Sequence, residues 1–410
     1  MAESLNNMGG AVPEFGPPNN PRRGDAADDP PLPPSKPLHI FLLIALVITG
    51  AAYVQDEWVQ MTSSVTTAPH PSKLRRLVQN QSDYLDHSQK GLAAMKDRRS
   101  DNAVTEFRLA LQDENLPEGH ENLGLALVGQ GNPDAAFAQF KEALVLDPKR
   151  MSVYSAWGQA LSSEGKLDEA QSLYRGALHL NRDDGTIHYN LAMTLQALQR
   201  SAEARSRMAA SAGDTADAEI AATKAADLCA QALEHYAQAS RHDVNFPAFW
   251  SGYGQMLNSQ GKFAEAVTRL NRAVTQDPTL AQAHFQLALA QDRLGQYRDA
   301  IAHYEIVLSL IPDDPDTLNN LALLYAVAAD PQARSSKMAV LLATRACDAT
   351  TDQNARFMDT LARSYAADGD FFQAITWEDK ASHRAAQLRD HELARELQAR
   401  YSRFLDHKAD

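Results

Sequence analysis

The chain has 410 residues and a net charge of −13, from 39 basic and 52 acidic side chains. Phosphate neutralisation needs a basic face, so this balance argues against nucleic acid as a partner, and no dense Lys/Arg cluster offsets it. Hydrophobic residues make up 44% and aromatics 7%. Alanine is prominent and no Val/Ile/Thr alternation runs between turns, which leaves an all-α class.

Residues 1–37 are rich in Pro, Asn, Gly and Asp, as in PEFGPPNNPRRG and DPPLPPSKP. They have no apolar period and too little hydrophobic surface to offset the entropy of ordering, so a disordered tail is expected. Leu38–Val54, LHIFLLIALVITGAAYV, holds no acidic or basic residue apart from His39 at its edge. Seventeen residues at about 1.5 Å each sit at the short end of what spans a bilayer. A single transmembrane helix over 38–54 is the expectation. A cleaved signal ending near Gly50-Ala51-Ala52 and a buried core helix are the competing readings. Arg22, Arg23 and Lys36 precede the segment, whereas Asp56 and Glu57 follow it. Positive-inside bias then places the N-terminus in the cytoplasm and the rest outside it, in a bacterium facing the periplasm. Residues 55–81, with TSSVTTAPHPSK, read as a linker, and Lys73–Val78 as the start of a short helix at its end.

From Ser82 a repeat takes over. Second-helix alanines recur at Ala103, Ala136, Ala170, Ala204, Ala232, Ala266, Ala300, Ala339 and Ala374, at spacings of 33, 34, 34, 28, 34, 34, 39 and 35 residues. Companions lie four and seven residues further on: Phe107 and Ala110, Phe140 and Ala143, Tyr174 and Ala177, Tyr236 and Ala239, Tyr304 and Val307. First-helix pairs recur as Leu123-Gly124, Trp157-Gly158, Leu191-Ala192, Tyr253-Gly254, Leu287-Ala288, Leu321-Ala322 and Leu361-Ala362, and Pro148, Pro278 and Pro312 close units. Period, residue type and terminator coincide over 82–385, and this stretch resembles the tetratricopeptide-repeat (TPR) family. The resemblance implies a right-handed superhelical solenoid of about eight helix hairpins.

Two departures interrupt the phase. The spacing of 28 from Ala204 to Ala232 implies that the Ala204 unit has an extended or duplicated second helix, with an insertion near 205–231 and a break at Ala212-Gly213-Asp214. Residues 329–337 add five residues between the helices of the Leu321 unit. Residues 386–410 place Leu393, Leu397, Tyr401 and Phe404 on one side and charges on the other, as a terminal capping helix should.

No catalytic constellation emerges, so no enzyme activity, cofactor, metal or small-molecule substrate is expected. Cys229 and Cys347 form no CxxC pair and read as small buried hydrophobes. His120, His188 and His284 share the fourth place of their first helices, a packing position, and packed helices about 10 Å apart would not let neighbouring repeats share a metal. HEL at 391–393 lacks the second histidine of HExxH, and neither GxSxG nor a P-loop occurs.

The resemblance implies binding instead, with first helices lining a concave groove. In the family's phase the candidate groove residues are Glu118, Glu121, Asn122, Ser155, Gln159, Tyr189, Asn190, Met193, Ser251, Gln255, Phe285, Leu289, Asn319, Asn320 and Leu323. Asn122, Asn190 and Asn320 take the sixth place, where peptide-binding relatives use an asparagine on the ligand backbone. The chaperone-binding carboxylate clamp is disfavoured, because Glu121, Tyr189 and Asn319 stand where its lysine would. The expectation is a membrane-anchored scaffold or adaptor for other proteins, an assembly factor or accessory subunit of an envelope complex. The alternative is a regulatory or accessory subunit of an envelope biosynthetic enzyme, such as a glycosyltransferase system.

Overall fold

The computed structural model describes residues 71–407 except 243, 352 and 389. The tail expected over 1–37 and the apolar segment 38–54 lie outside the described residues. No helix among the described residues is long and apolar enough to cross a membrane. Contacts divide the chain into Met1–Gln79 and Asn80–Asp410. Of the first unit only 71–79 are described, and they are helical. The linker expected over 55–81 is therefore helical from Pro71, and the short helix expected at Lys73 is the start of a 26-residue one.

Seventeen α-helices and one 3-10 turn make up the described residues, with no strand among them. They run as α1 (Pro71–Lys96), α2 (Ser100–Asp113), α3 (Pro117–Gly129), α4 (Pro133–Leu146), α5 (Met151–Ser163) and α6 (Leu167–Leu180). Next come α7 (Gly185–Ala212), α8 (Thr215–Arg241), α9 (Pro247–Ser259), α10 (Phe263–Gln276), α11 (Ala281–Arg293) and α12 (Tyr297–Leu310). The last are α13 (Pro315–Val327), α14 (Ser336–Ala349), α15 (Ala355–Ala367), α16 (Phe371–Gln387) and α17 (His391–Leu405), with the 3-10 turn Pro331–Ala333 between α13 and α14. Successive pairs form hairpins that stack side by side, as a repeat that cannot bury its apolar face alone must.

A contact between a large second-helix residue and a small first-helix residue recurs in the hairpins. Phe107, Phe140, Tyr174, Tyr236, Leu270 and Tyr304 on the second helices are essentially inaccessible to solvent. Phe140, Tyr174 and Leu270 sit against Gly124, Gly158 and Gly254, the eighth residues of their first helices, and Phe107 sits against Gly91 near the end of α1. A Cβ on Gly124 would stand 2.5 Å from Phe140 Cε1, closer than real atoms approach. The alanines four residues before and three after the large residue, such as Ala136 and Ala143, are fully buried and let the helices close.

Turn chemistry sets where first helices stop. Gly131, Gly165, Gly261, Gly295 and Gly369 all have φ between +69° and +83°, the left-handed region that glycine enters without steric cost. At each, the glycine N–H and the next N–H fold back on the helix, as Gly131 to Val128 O and Asn132 to Leu127 O. This is a Schellman stop. Every one of these glycines is the fifteenth residue of its unit, five before the marker alanine.

The long unit breaks that rule, and here the sequence expectation is corrected. Gln199 occupies the fifteenth place, counting Gly185 as the first, and α7 runs through it to Ala212. Gly213, at φ 81°, supplies the turn, and Asp214 caps α8 by accepting from Asp217 N–H. Ala204 thus lies inside a first helix and does not mark a second helix. Ala232 is the second-helix alanine of the same unit, and the insertion divides into 14 residues on each helix. Fourteen residues make about four turns, so both helices return to the stack near their original phase. The expected break at 212–214 is the turn of this lengthened hairpin.

At the other end, α17 packs Leu393, Leu397 and Phe404 inward. Arg400 on it pairs with Asp359 of α15 and lies 3.6 Å from Glu378 of α16.

Candidate protein-binding groove

The residues expected in the groove lie on the first helices α3, α5, α7, α9, α11 and α13. They fall into four groups. Glu118 and Glu121 on α3 are both held by Arg150, at 2.6 and 2.5 Å, which compensates one of their two negative charges in place. Asn122 is half-buried nearby.

Between α5 and α7, Asn190 Nδ2 donates to Ser155 Oγ at 2.7 Å. Gln159 Nε2 donates to Asn190 Oδ1 at 3.4 Å and to Ser155 Oγ at 3.3 Å. Thr194 and Ser162 hydroxyls meet at 3.4 Å one turn further on. Asn190 is only 5% exposed. Its side chain ties two repeats together and is not presented to a ligand, contrary to the expectation for the sixth place. A buried amide bonded this way is hard to recruit, because a ligand must first replace those bonds.

A third group is aromatic. Tyr189 packs edge-on to Phe246, Phe249 and Tyr236 with centroids 5.0, 5.8 and 6.3 Å away. Burial pushes the Tyr189 phenol up to about 12, so it stays a neutral donor. Met193 is 42% exposed, and Tyr236 OH donates to its sulfur at 3.0 Å. Gln196 Oε1, also 3.0 Å away, is the other acceptor within reach of that single proton, and Gln196 Nε2 donates to Gln255 Oε1 at 3.0 Å, which Arg200 also reaches at 3.2 Å. Ser251 is 6% exposed and so, like Asn190, lies inside the stack.

The fourth group lies on α11 and α13. Phe285, edge-on to Tyr304 at 6.0 Å, lines a cleft of about 100 Å³ with Gln282, Val307, Ile311, Asp314 and Asp316. Leu289, Asn319, Asn320 and Leu323 continue the half-buried strip, with Asn319 Nδ2 donating to Asn320 Oδ1 at 3.4 Å. Asp292, one turn beyond Leu289, has its carboxyl raised by burial.

The residues missed from sequence are those set by neighbours: Arg150, Gln196, Arg200 and Asp292. The twelfth place of the first helix is polar in the four middle ones, as Ser162, Gln196, Asn258 and Asp292, and apolar in the outer ones, as Val128, Ala326 and Ala366.

The packing histidines have partners that were also missed. His120 Nδ1 lies 2.7 Å from Gln139 Oε1, and His87 Nδ1 2.7 Å from Glu106 Oε2. His188 and His284 each face a second histidine, with Nδ1 atoms 2.9 Å from those of His235 and His303. The partner always lies 19 residues on in a regular unit, and within the same hairpin. Nε2 of His188 donates to Arg182 O and that of His284 to Pro278 O, which leaves each Nδ1 as an acceptor. No group of three or more His, Cys, Asp or Glu side chains that could hold a metal is present among the described residues.

Comparison with known proteins matches family models described as TPR or tetratricopeptide repeat at residues 88–150, 161–226, 254–295 and 281–314. Tetratricopeptide repeats are therefore present along the solenoid. Among curated proteins, superkiller complex protein 3 of Mus musculus is 25% identical over 53% of this chain and 15% of its own length. The uncharacterized protein y4yS of Sinorhizobium fredii is 37% identical over 17% of this chain and 38% of its own. The chain thus spans well under half the length of either relative. Solved structures include pilF of Pseudomonas aeruginosa, at 15% identity and a TM-score of 0.47 over 60% of this chain and 99% of that one. YrrB, described as a TPR protein with an unusual peptide-binding site, gives 16% identity and a TM-score of 0.36 over 63% and 97%.

Proposed function

We propose that this tetratricopeptide solenoid is a membrane-anchored scaffold that holds a segment of another protein in its groove, as an assembly factor or accessory subunit of an envelope complex. The observation that carries the binding reading is the strip of half-buried aromatic and polar side chains on the first helices, from Tyr189 and Met193 to Phe285 and Leu289. Apolar area with a few placed donors and acceptors suits an extended or helical protein segment. The charged part near α3 is partly compensated by Arg150 and stays net negative, so an acidic ligand gains nothing there. Anchoring through 38–54, with the N-terminus cytoplasmic and the repeats extracytoplasmic, raises the local concentration of membrane-bound partners without new contacts.

The test is site-specific photocrosslinking of the full chain in cells at Tyr189 and Phe285, with Phe372 as a control. Phe372 is 77% exposed at the start of α16, away from the first helices. The expected result is one protein captured from both groove positions and absent from the control. Capture equal at all three, or at none, overturns the groove reading. Reporter fusions at each end test the orientation, and a cytoplasmic C-terminal signal would refute it.

A further inference from the structure

We propose that the α11–α13 part of the groove selects a protein segment carrying Lys or Arg beside a large apolar residue. The apolar residue enters the Phe285 cleft, and the cations meet Asp292 on one side of it and Asp314 and Asp316 on the other. This rests on the groove reading above and adds which kind of segment fits.

The twelfth places of the first helices form a ladder that is closed three times and left open once. Ser162 meets Thr194 of α7 at 3.4 Å, and Gln196 donates to Gln255 of α9 at 3.0 Å. Asn258 Nδ2 donates to Gln286 O and Oε1 of α11 at 2.9 and 3.1 Å. These partners stand at the tenth, ninth and sixth places of the next first helix. Asp292 is the fourth rung, and α13 offers it Leu324, Leu323 and Asn320 at those places. No hydrogen bond or ion pair joins the Asp292 carboxylate to another of the described residues. Burial raises its carboxyl, with Arg293 pulling the other way. Arg293 is the next residue and points about 100° round the helix. A carboxylate drawn partly out of water without a donor gains most from an incoming cation.

The apolar residues share that face. Phe285, Leu289 and Asp292 are four and three residues apart, on one side of α11, and all three are half-buried. Phe285 lines the cleft with Val307, Ile311, Asp314 and Asp316. Its volume of about 100 Å³ is below the roughly 300–1,000 Å³ of small-molecule sites, so it takes one side chain. Asp314 caps α13 by accepting from Thr317 N–H at 2.9 Å, and neither it nor Asp316 is in an ion pair among the described residues. Arg345 is taken by Asp313 and Pro312 O. Carboxylates without cations therefore flank an apolar strip, and charge complementarity calls for a basic segment. Phe285 and Asp292 are about 10 Å apart along α11, which three residues of extended chain span. The cation that meets Asp292 thus lies about three residues from the apolar residue in the cleft.

Selection of a random dodecapeptide phage library against the full chain in detergent tests this. The expected peptides are enriched in a large apolar residue with Lys or Arg about three positions away. The affinity of a selected peptide, read by fluorescence anisotropy, should fall about tenfold or more in Asp292→Asn and lose part of its salt dependence. Glu219→Gln, on α8, should leave it unchanged. Thermal melts check that both variants fold, and selection repeated on Asp292→Lys should lose the basic enrichment. Peptides without basic enrichment, or bound equally by wild type and Asp292→Asn, overturn the proposal and leave the groove reading standing. If no selected peptide is weakened by Phe285→Ser, both are overturned.

Discussion

The regular hairpins and the long α7–α8 hairpin are made by one repeat grammar, yet they are stabilised in different ways. In a regular unit such as α3–α4, a large ring enters a hole left by a missing side chain, and neighbours on both sides complete the burial. Phe140, Ala136 and Ala143 are fully inaccessible there. In the outer part of the long hairpin no ring is available and no flanking helix reaches. Its seam is alanine on alanine, with partly exposed margins such as Ala204 and Ser206. Helix propensity and the contact of the two helices with each other therefore hold this outer arm of α7 and α8, while ring packing and neighbours on both sides hold the stack. In a quasi-one-dimensional solenoid each repeat touches only its neighbours, so the two regions can be perturbed separately.

The largest expected effect comes from emptying a regular hole. Phe140→Ala should cost about 3–5 kcal/mol, as removal of a fully buried ring does. Urea denaturation of the variant should show the α3–α4 region unfolding first, followed by amide hydrogen exchange along the stack. Unchanged exchange in α3 and α4 would show that the ring contact does not hold the unit.

A second effect is carried by pH and acts at both kinds of hairpin. Burial first, then the His188 ring and Arg175, hold His235 at about 4, and burial and His284 lower His303. An unfolded histidine titrates near 6.5. The unfolded chain therefore binds protons first as pH falls. Stability is complete above pH ~6.5 and is lost progressively down to about 4 for His235. One pKa unit is about 1.4 kcal/mol, and screening at a half-buried ring reduces the full figure, so a loss of ~2 kcal/mol is expected. Melting temperatures at pH 7 and pH 5 should differ less in His235→Asn than in the wild type. Equal differences would mean that the pair does not couple to folding.

The turns themselves separate the two regions at one repeat position. Gly165→Ala forces a Cβ into φ +74° and should cost about 1–2 kcal/mol. Gln199→Ala occupies the same fifteenth place but lies within a continuous helix, where alanine is the best helix former. Its loss of the 2.6 Å bond from Gln199 Nε2 to Glu203 is offset, and a change near zero is expected in the same thermal melt.

This position also explains what was legible in the sequence and what was not. The 34-residue phase, the all-α class and the capping helix were visible because alanine, ring and proline recur together. Ala204 was misread because it stands 34 residues after Ala170, and alanine suits any helical position. Only the left-handed turn residue marks the end of a first helix. Gly131, Gly165, Gly261, Gly295 and Gly369 supply it five residues before their alanines, and Gln199 does not. Helical phase made it legible which first-helix positions share a side. It was not visible that Asn190 and Ser251 are covered, since that depends on how closely α5, α7 and α9 approach laterally. Nor could one helix reveal that Arg150 closes on Glu118 and Glu121 from the next repeat.

The smallest effects concern ion pairs, where the two regions again part. Arg150 lies between Glu118 and Glu121, and the Glu121 side chain is only 12% exposed. Arg150→Ala leaves that carboxylate half out of water without its cation, so a loss of about 1 kcal/mol is expected, the upper end for surface pairs. Arg205 and Asp217 in the arm are 69% and 28% exposed, and either remains hydrated if the other is removed. Arg205→Ala should leave the melting temperature within error. Raising the salt concentration sharpens the contrast, because exposed charges are screened within about a Debye length while partly buried ones are not. Arg150→Ala should therefore keep most of its deficit in high salt. A stability loss in Arg205→Ala as large as that in Arg150→Ala would mean that the arm is held by its charges rather than by its alanine seam.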